Sequence, residues 1–266
     1  MRCGGWKQGR AVAPGALLGI MLLAGAAQAG APPLLAPAAL EQKLAALPQD
    51  PADQLLRRGY HLFIDTPRYA PGYSGNALTC ANCHLDAGQR PGASPLWAAW
   101  GMYPAWLARR KRFSSFEERV QQCFRYSMNG RPPPLDSPEV HALSAYAQWL
   151  AHGQPVGEEL PGRGFPAVAA PAAPDPAHGA ALYRRRCVAC HGSGGAGLKQ
   201  ADGRYAFPPL WGPASYNQGA GMAQPALLAR FLKGNMPYGA ADLSDQEAAD
   251  LAAWVDGQDR PADPGP

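Results

Sequence analysis

The sequence predicts a mainly helical protein built from two similar halves. Two observations carry this prediction. No stretch alternates apolar and polar residues as a half-buried strand does, and one short cysteine motif occurs twice, as Cys80-Ala-Asn-Cys83-His84 and Cys187-Val-Ala-Cys190-His191. Each motif is followed by a long irregular stretch and then by a segment with the pattern of an aromatic-bearing helix. The chain therefore has the organisation of a duplicated unit.

The two closing helices are predicted from their N-terminal signals and apolar faces. The first spans Ser137–His152 and carries Tyr146 on its apolar side. The second begins at Ser244, has Glu247 three residues later as a capping box, and carries Trp254. Each half is thus expected to end on a helix that covers its core.

The repeated motif is the attachment pattern of a c-type haem. Two thiols separated by two residues form thioethers to the two vinyl groups, and the adjacent histidine binds the iron. A zinc site made from both pairs and a set of disulfides are weaker alternatives, because more than a hundred residues separate the pairs and each carries the same histidine. We predict two covalently attached haem c groups in two cytochrome c-like domains, held by Cys80, Cys83, Cys187 and Cys190, with His84 and His191 as iron ligands.

Residues 1–29 have the layout of a signal peptide. A basic stretch is followed by the apolar run Ala11–Ala27 and by the small-x-small cleavage site Ala27-Gln28-Ala29. Pro14 and several glycines make this run a poor membrane anchor, and no later segment is long and apolar enough to span a bilayer. We expect a mature chain that is exported to the periplasm and does not span the membrane.

Composition and charge exclude other classes. The 266 residues are 47% hydrophobic and include 31 Gly and 29 Pro, which is too apolar for a disordered chain and typical of loop-rich domains. Three of the 24 Lys and Arg lie in residues 1–29, so the mature chain keeps 21 against 20 Asp and Glu, a net charge of +1. A chain this close to neutral is not expected to bind nucleic acid.

Five regions follow from these patterns. The stretch between the halves is dense in Pro, Ala and Gly, which is typical of an ordered spacer or a semi-rigid linker. The predicted regions are the signal peptide at 1–29, an N-terminal domain with the catalytic haem at 30–153, the linker at 154–176, a C-terminal domain with the electron-transfer haem at 177–260, and a tail at 261–266.

Each iron needs a second axial ligand. In the second half Met236 lies 45 residues after His191 and directly before a proline, a normal position for a thioether that raises the reduction potential. Met222 is the competing methionine nearby. Lys233 is a weaker alternative, because its amine must lose a proton before it can bind iron.

The first half offers two sulfur ligands. Met128, 44 residues after His84, matches Met236 in position. Cys123 is the one mature cysteine outside the motifs, and an unpaired thiol in an oxidising compartment is expected to be buried, coordinated or chemically used. The two are five residues apart, too close to ligate one iron from one helical face without a break in the helix.

The surroundings of Cys123 favour the thiol. A helix predicted over residues 115–130 would align Arg119, Cys123 and Ser127 on one stripe, and the basic run Arg109–Arg112 lies just upstream. A solvated basic face explains part of that run. Arginines beside a thiol also lower its pKa and bind small dianions through forked hydrogen bonds. A thiolate on iron beside an anion pocket predicts sulfur-anion chemistry rather than simple electron carriage.

Several blocks together carry a family resemblance, among them Arg119-Val-Gln-Gln-Cys123-Phe-Arg-Tyr-Ser127-Met-Asn-Gly130. The other blocks are Gly75–Gly88, Tyr205–Met222, Asn235–Pro237 and Leu243–Glu247. With these blocks the chain resembles the dihaem thiosulfate dehydrogenases, also described as tetrathionate reductases. The resemblance extends over most of the mature chain, from about residue 55 to residue 257.

This resemblance implies an enzyme that couples two thiosulfate ions to tetrathionate, or the reverse, and exchanges two electrons with a cytochrome acceptor. It implies that Cys123 rather than Met128 ligates the first haem and Met236 the second. Some family members have Lys directly before that Met, where this chain has Asn235, which puts a redox-driven Lys/Met exchange in doubt. The substrate-site residues that it implies are Arg109, Arg119 and Ser127, with Cys123 as the reactive thiol.

Two other functions stay open from the residues. One is a subunit of a sulfur-oxidation complex of the related thiolate-ligated cytochrome type, which needs a partner chain to act. The other is a plain dihaem electron carrier in which Met128 and Met236 complete the two coordination spheres.

Overall fold

A computed structural model describes residues 30–107 and 111–265 of the chain. The predicted signal peptide and Arg109 lie outside the described residues. The described residues are mainly helical, with four short strands. The first half contains α1 (Pro37–Ala45), α2 (Pro51–Ile64), α3 (Thr66–Tyr69), α4 (Leu85–Gly88), α5 (Leu96–Ala99), β1 (Ala105–Leu107), β2 (Arg112–Ser114), α6 (Phe116–Gln122) and α7 (Pro138–Leu150).

The second half repeats the helical framework in shorter form. Both closing helices are present, and each begins at the predicted serine: the hydroxyl of Ser137 accepts a hydrogen bond from the Val140 N–H, and Ser244 forms a capping box with Glu247. The elements of this half are α8 (Pro176–Arg186), α9 (Val188–His191), β3 (Leu198–Lys199), β4 (Tyr205–Phe207), α10 (Pro225–Asn235) and α11 (Asp245–Asp256).

In each half, the closing helix crosses an earlier helix at a glycine. In the first half α2 packs on α7, and a Cβ on Gly59 would overlap the carbonyl oxygen of Ala142. In the second half α8 packs on α11, and a Cβ on Gly179 would overlap the carbonyl oxygen of Asp250. Only glycine permits backbones to approach this closely, so the two crossings are built in the same way.

An aromatic pair packs beside each crossing, four residues further along both helices. Phe63 and Tyr146 have ring centroids 5.6 Å apart, and Tyr183 and Trp254 have centroids 4.6 Å apart. Both distances are typical of favourable aromatic contacts. The packing therefore supports the duplicated unit that the sequence predicts.

The strands form two small antiparallel hairpins. β1 pairs with β2, with Trp106 opposite Phe113, and β3 pairs with β4. None of these strands was predicted. Each has only two or three residues, which is too short for an alternating pattern to be visible in the sequence.

The two halves share an interface. Tyr216 and Ala220 belong to the second half by sequence, yet they are buried in the hydrophobic core of the first. Residues 154–175 of the predicted linker contain neither helix nor strand, and its last residue, Pro176, begins α8. The linker bonds to both halves: Gly162 O accepts from Gly92 N–H, and Asp245 accepts from Ala169 N–H. It behaves as an ordered spacer, while the domain limits given above stay predictions.

Within residues 30–107 and 111–265, none of the helices has the length and apolar character needed to cross a bilayer.

Candidate functional site

The first cysteine motif is folded around Thr66 and Thr79. Thr79 caps a 3-10 turn formed by residues 80–82. The hydroxyl of Thr66 accepts the Cys80 N–H at 3.2 Å and lies 3.5 Å from the Cys80 sulfur. These contacts fix the direction of the Cys80 side chain.

The two motif histidines have the same orientation. His84 Nδ1 lies 2.7 Å from the carbonyl oxygen of Ser94, and His191 Nδ1 lies 2.9 Å from the carbonyl oxygen of Pro208. A carbonyl oxygen only accepts, so Nδ1 carries the proton in each ring and Nε2 keeps its lone pair. Both imidazoles are therefore prepared to bind a metal through Nε2.

An open cavity of about 110 Å³ lies between His84 and the segment that follows α6. Its walls are largely apolar, and Cys80, His84 and Cys123 all border it. Apolar residues that surround it include Phe63, Leu96, Phe116, Phe124 and Leu143. An apolar cavity that is bordered by the motif thiol of Cys80 and by His84, whose Nε2 is available to bind iron, fits a covalently attached haem.

The helix predicted over residues 115–130 is broken. α6 ends at Gln122, and residues Cys123–Ser127 form a π turn in which Met128 N–H donates to Cys123 O at 2.9 Å. This bond spans five residues instead of four, so the wider turn shifts the residues that follow around the axis. The predicted stripe of Arg119, Cys123 and Ser127 assumed a regular helix, and the role of Ser127 stays a prediction.

Ser127 is absent from the border of the described cavity, whereas Arg119, Cys123 and Met128 all lie on it. The break in the helix brings both candidate sulfurs to the same cavity. Met128 is only 2% exposed and also packs in the core of the first half. Which sulfur binds the iron stays a prediction.

Cys123 and Arg119 form the charged part of the cavity. Burial alone would raise the pKa of Cys123, but the charge of Arg119 and the neighbouring His84 ring outweigh it and lower that pKa to about 7. In return, the thiolate raises the pKa of Arg119. Arg119 itself stays exposed at the border of the cavity, where it can meet an anion.

The pKa values of the haem-attachment cysteines are shifted in the opposite direction. Burial raises the pKa of Cys80 and of Cys83 to about 12, and it raises the pKa of Cys187 to about 11. Arg119 lowers the pKa of Cys123 and has no comparable effect on these three thiols. Cys123 is thus the thiol best suited to be an anionic ligand and nucleophile.

The second half presents Met236 directly after α10. Its side chain packs beside Leu85 and Phe231. Lys233 donates to the carbonyl oxygen of Leu243 at 2.7 Å and pairs with Asp245 at 3.2 Å, so its amine is held away from a ligand role. Asn235, where a relative would have Lys, is buried and donates to Gly92 O at 2.9 Å.

Three residues near the first cavity were missed in the sequence. Tyr103 borders the cavity, and burial raises its pKa. Asn76 and Asn217 bond to the π turn that carries Cys123. Both asparagines lie inside the family-like blocks, but an asparagine gives no periodic or spacing signal that would reveal such a role.

The zinc and disulfide alternatives find no support in the described part of the chain. All five described cysteines are free. Across those residues no group of three or more His, Cys, Asp or Glu side chains comes together to hold a metal ion.

Comparison with known proteins assigns a cytochrome c domain to each half. Residues 71–156 match the family described as "SoxA/TsdA, cytochrome c domain", and residues 174–255 match "Cytochrome C oxidase, cbb3-type, subunit III". Together with the two prepared histidines, these matches define a dihaem cytochrome c with two covalently bound haem c groups. They confirm the predicted fold class and cofactors.

Curated relatives define the family. The thiosulfate dehydrogenase of Thiomonas intermedia is 46% identical over 82% of this chain and 70% of its own length. That of Allochromatium vinosum is 42% identical over 92% of this chain and 91% of its own. The chain belongs to the thiosulfate dehydrogenase family, as the resemblance implied.

A solved structure agrees with this assignment. The thiosulfate dehydrogenase (TsdBA) of Marichromatium purpuratum, in its as-isolated form, superposes with a TM-score of 0.79 at 44% identity. The match covers 83% of this chain and 49% of that one, so the present chain spans about half of the solved polypeptide.

Proposed function

We propose that this chain is a thiosulfate dehydrogenase that joins two thiosulfate ions into tetrathionate and passes two electrons to a cytochrome acceptor. The observation that carries the proposal is a half-buried thiol, Cys123, that borders the first haem cavity together with Arg119, whose charge lowers the pKa of that thiol. Family membership supports the same activity. The signal-like residues 1–29, which lie outside the described part, support action in the periplasm.

The proposed division of labour follows the two halves. When bound, each haem c supplies one-electron oxidation and reduction. Cys80 and Cys83 would attach the first haem, and His84 and Cys123 would bind its iron. Cys187 and Cys190 would attach the second, and His191 and Met236 would bind its iron. A thioether ligand raises the potential, so the second site is suited to receive electrons and pass them on.

The first task of the chain is to hold two anions together. Two dianions at contact distance repel each other by on the order of 10 kcal/mol even at an intermediate effective dielectric constant. Arg119 offsets part of this repulsion from the cavity border. We assign Arg109 as a second cation from the basic run before β2, and we keep Ser127 as a weaker candidate, since its side chain is absent from the described cavity border.

The proposed sulfur chemistry takes place in two steps at the Cys123 thiolate. Its thiolate and one thiosulfate form an S–S bond with loss of two electrons, which leaves a cysteine-bound S–SO3⁻ group. The terminal sulfur of a second thiosulfate then attacks the sulfur bonded to Cys123. Tetrathionate forms, and the thiolate leaves with the electron pair of the broken S–S bond. The sum is two thiosulfates to one tetrathionate and two electrons.

The test is thiosulfate-dependent reduction of a dye by the isolated dihaem protein. Cys123→Gly should keep both haems attached but abolish turnover, while the matched sulfur variant Met128→Leu should keep it. Unchanged turnover in Cys123→Gly would remove this thiol from catalysis.

One observation favours a second function: Met128 borders the same cavity as Cys123. If Met128 binds the iron, the chain is a plain dihaem electron carrier. The "SoxA/TsdA" match keeps a role as subunit of a sulfur-oxidation complex as a further alternative. Dye reduction by the isolated chain separates the enzyme from both, since neither alternative oxidises thiosulfate unaided.

A further inference from the structure

The π turn that carries Cys123 depends on hydrogen bonds from outside the helix. Within the turn, the carbonyl of Cys123 accepts from Met128 N–H and that of Phe124 accepts from Gly130 N–H. The next three carbonyls, at residues 125–127, accept from two asparagine residues elsewhere in the chain. A π turn is rare and gives poorer local bonding than an α-helix, so outside partners decide whether it persists.

Asn217 supplies two of these three bonds. Its side-chain Nδ2 donates to Arg125 O at 2.9 Å, and its backbone N–H donates to Tyr126 O at 3.1 Å. Asn76 supplies the third, to Ser127 O at 3.0 Å, and the same amide nitrogen donates to Ser215 O at 3.1 Å. The π turn is thus held against the segment 215–217.

The amide of Asn217 is fully used. Its second N–H donates to Asn129 Oδ1 at 3.1 Å, and its Oδ1 accepts from Gly219 N–H at 3.0 Å. Exchanging the oxygen and the nitrogen would set the side-chain oxygen against a carbonyl and the NH2 group against an N–H, so one orientation satisfies the site. Asn217 is 0% exposed, so water cannot replace these bonds.

Asn217 belongs to the second haem half, between β4 and α10, although it holds a segment of the first. We infer that Asn217 is a positioning residue for Cys123, so that contact with the electron-transfer domain fixes the sulfur at the catalytic haem. The inference deepens the proposed function and rests on the role given there to Cys123. Asn217 does not touch Cys123 itself in these bonds and acts on it through the backbone of residues 125 and 126.

The experiment compares electron paramagnetic resonance spectra of oxidised holoprotein. Asn217→Leu removes the side-chain bonds and keeps the number and branching of the non-hydrogen side-chain atoms, and Gln218→Leu is the control, because Gln218 is the exposed neighbour. We expect Asn217→Leu to keep two attached haems, to lose most of the thiolate-type low-spin signal, and to leave the spectrum of the second haem unchanged. Thiosulfate turnover should fall roughly tenfold or more, as for other residues that orient a metal ligand.

A second variant covers failure of the first to fold. Asn217→Asp keeps the size and the acceptor for Gly219 N–H but removes both side-chain donors, and the same loss of signal is expected. A full thiolate signal with unchanged g-values in either folded variant would overturn the inference. If the unmodified protein itself lacks the thiolate signal, the proposed role of Cys123 fails instead, so the two failures are distinguishable.

Discussion

The two haem halves share a framework and differ in the segment that we propose to face the motif histidine. Both have a glycine at the helix crossing and an imidazole held by a backbone carbonyl. In the first half this segment is a π turn with Cys123 beside an exposed arginine. In the second it is the residue after α10, Met236, packed among apolar side chains. We propose that one duplicated scaffold supports two chemistries and that the segment facing the histidine decides which.

The two segments also differ in whether a nearby cation is available to bind an anion. Arg119 borders the first cavity and keeps exposed surface, so it is able to receive a substrate dianion. Lys233, the cation nearest in sequence to Met236, is already bonded to Leu243 O and Asp245. The first half is open to anion chemistry, and the second offers a neutral thioether.

The largest effect is expected when the cation beside the thiol is removed, which tests whether the first half is the site of anion chemistry. Arg119→Gln should lower kcat/KM for thiosulfate by roughly a hundredfold or more, because the thiolate and the anion lose their main positive partner. Arg112→Gln is the control, since Arg112 pairs with Glu118 on the surface and is expected to change the rate by less than about twofold. Steady-state kinetics of both variants measure these effects. A kcat/KM for Arg119→Gln equal to that of Arg112→Gln would show that Arg119 is not part of the site.

The next effect concerns the second half. Met236→Leu should lower the reduction potential of the second haem by roughly 0.1 V or more, because the sixth ligand is lost. Met222→Leu, at the competing methionine, should leave that potential in place. A spectroelectrochemical titration of each variant measures it, and a drop in Met222→Leu alone would reverse the assignment.

A smaller difference lies in the helix crossings. Asp250 faces Gly179 where the first half has Ala142, and it accepts bonds from Asp175 N–H, His178 and Gln246 while only 1% exposed. Burial alone would raise the pKa of Asp250, but these hydrogen bonds lower it. The folded pKa then lies below the unfolded value near 4, so the stabilisation is complete above that value and is lost as pH falls through the folded pKa.

Asp250→Asn should therefore destabilise the second half by about 1.5–3 kcal/mol at pH 7. The difference from the unmodified protein should shrink below about pH 4, where the carboxylate itself becomes protonated. Thermal unfolding followed at a second-haem absorption band across pH checks this. A difference that stays constant into acid would mean that the charge of Asp250 is not what stabilises the crossing.

The smallest expected effect is at the contact between the halves beside Met236. Tyr238 donates to Asp86 at 2.7 Å, and the same carboxylate pairs with Arg90. Because Tyr238 is 56% exposed, Tyr238→Phe should cost only about 0.5–1 kcal/mol of unfolding free energy. Chemical denaturation of the variant measures the loss, with Tyr205→Phe as a control outside this contact. A loss above 2 kcal/mol would show a far stronger contact than one exposed hydrogen bond.

Sequence patterns sufficed for features that are local. The attachment motifs, the serine caps of α7 and α11 and the single spare thiol are each visible within a few residues. The π turn was not predictable, because its extra residue is stabilised by Asn76 and Asn217, which lie far away in the chain. Ser127 lies in that turn and is not among the residues that border the described cavity.

The central claim is that Cys123 supplies the sulfur opposite His84. The most direct test is the electron paramagnetic resonance spectrum of the oxidised dihaem protein. We predict a thiolate-type low-spin signal that disappears in Cys123→Gly and persists in Met128→Leu. A first haem with a histidine–methionine signal that Met128→Leu abolishes would contradict the account.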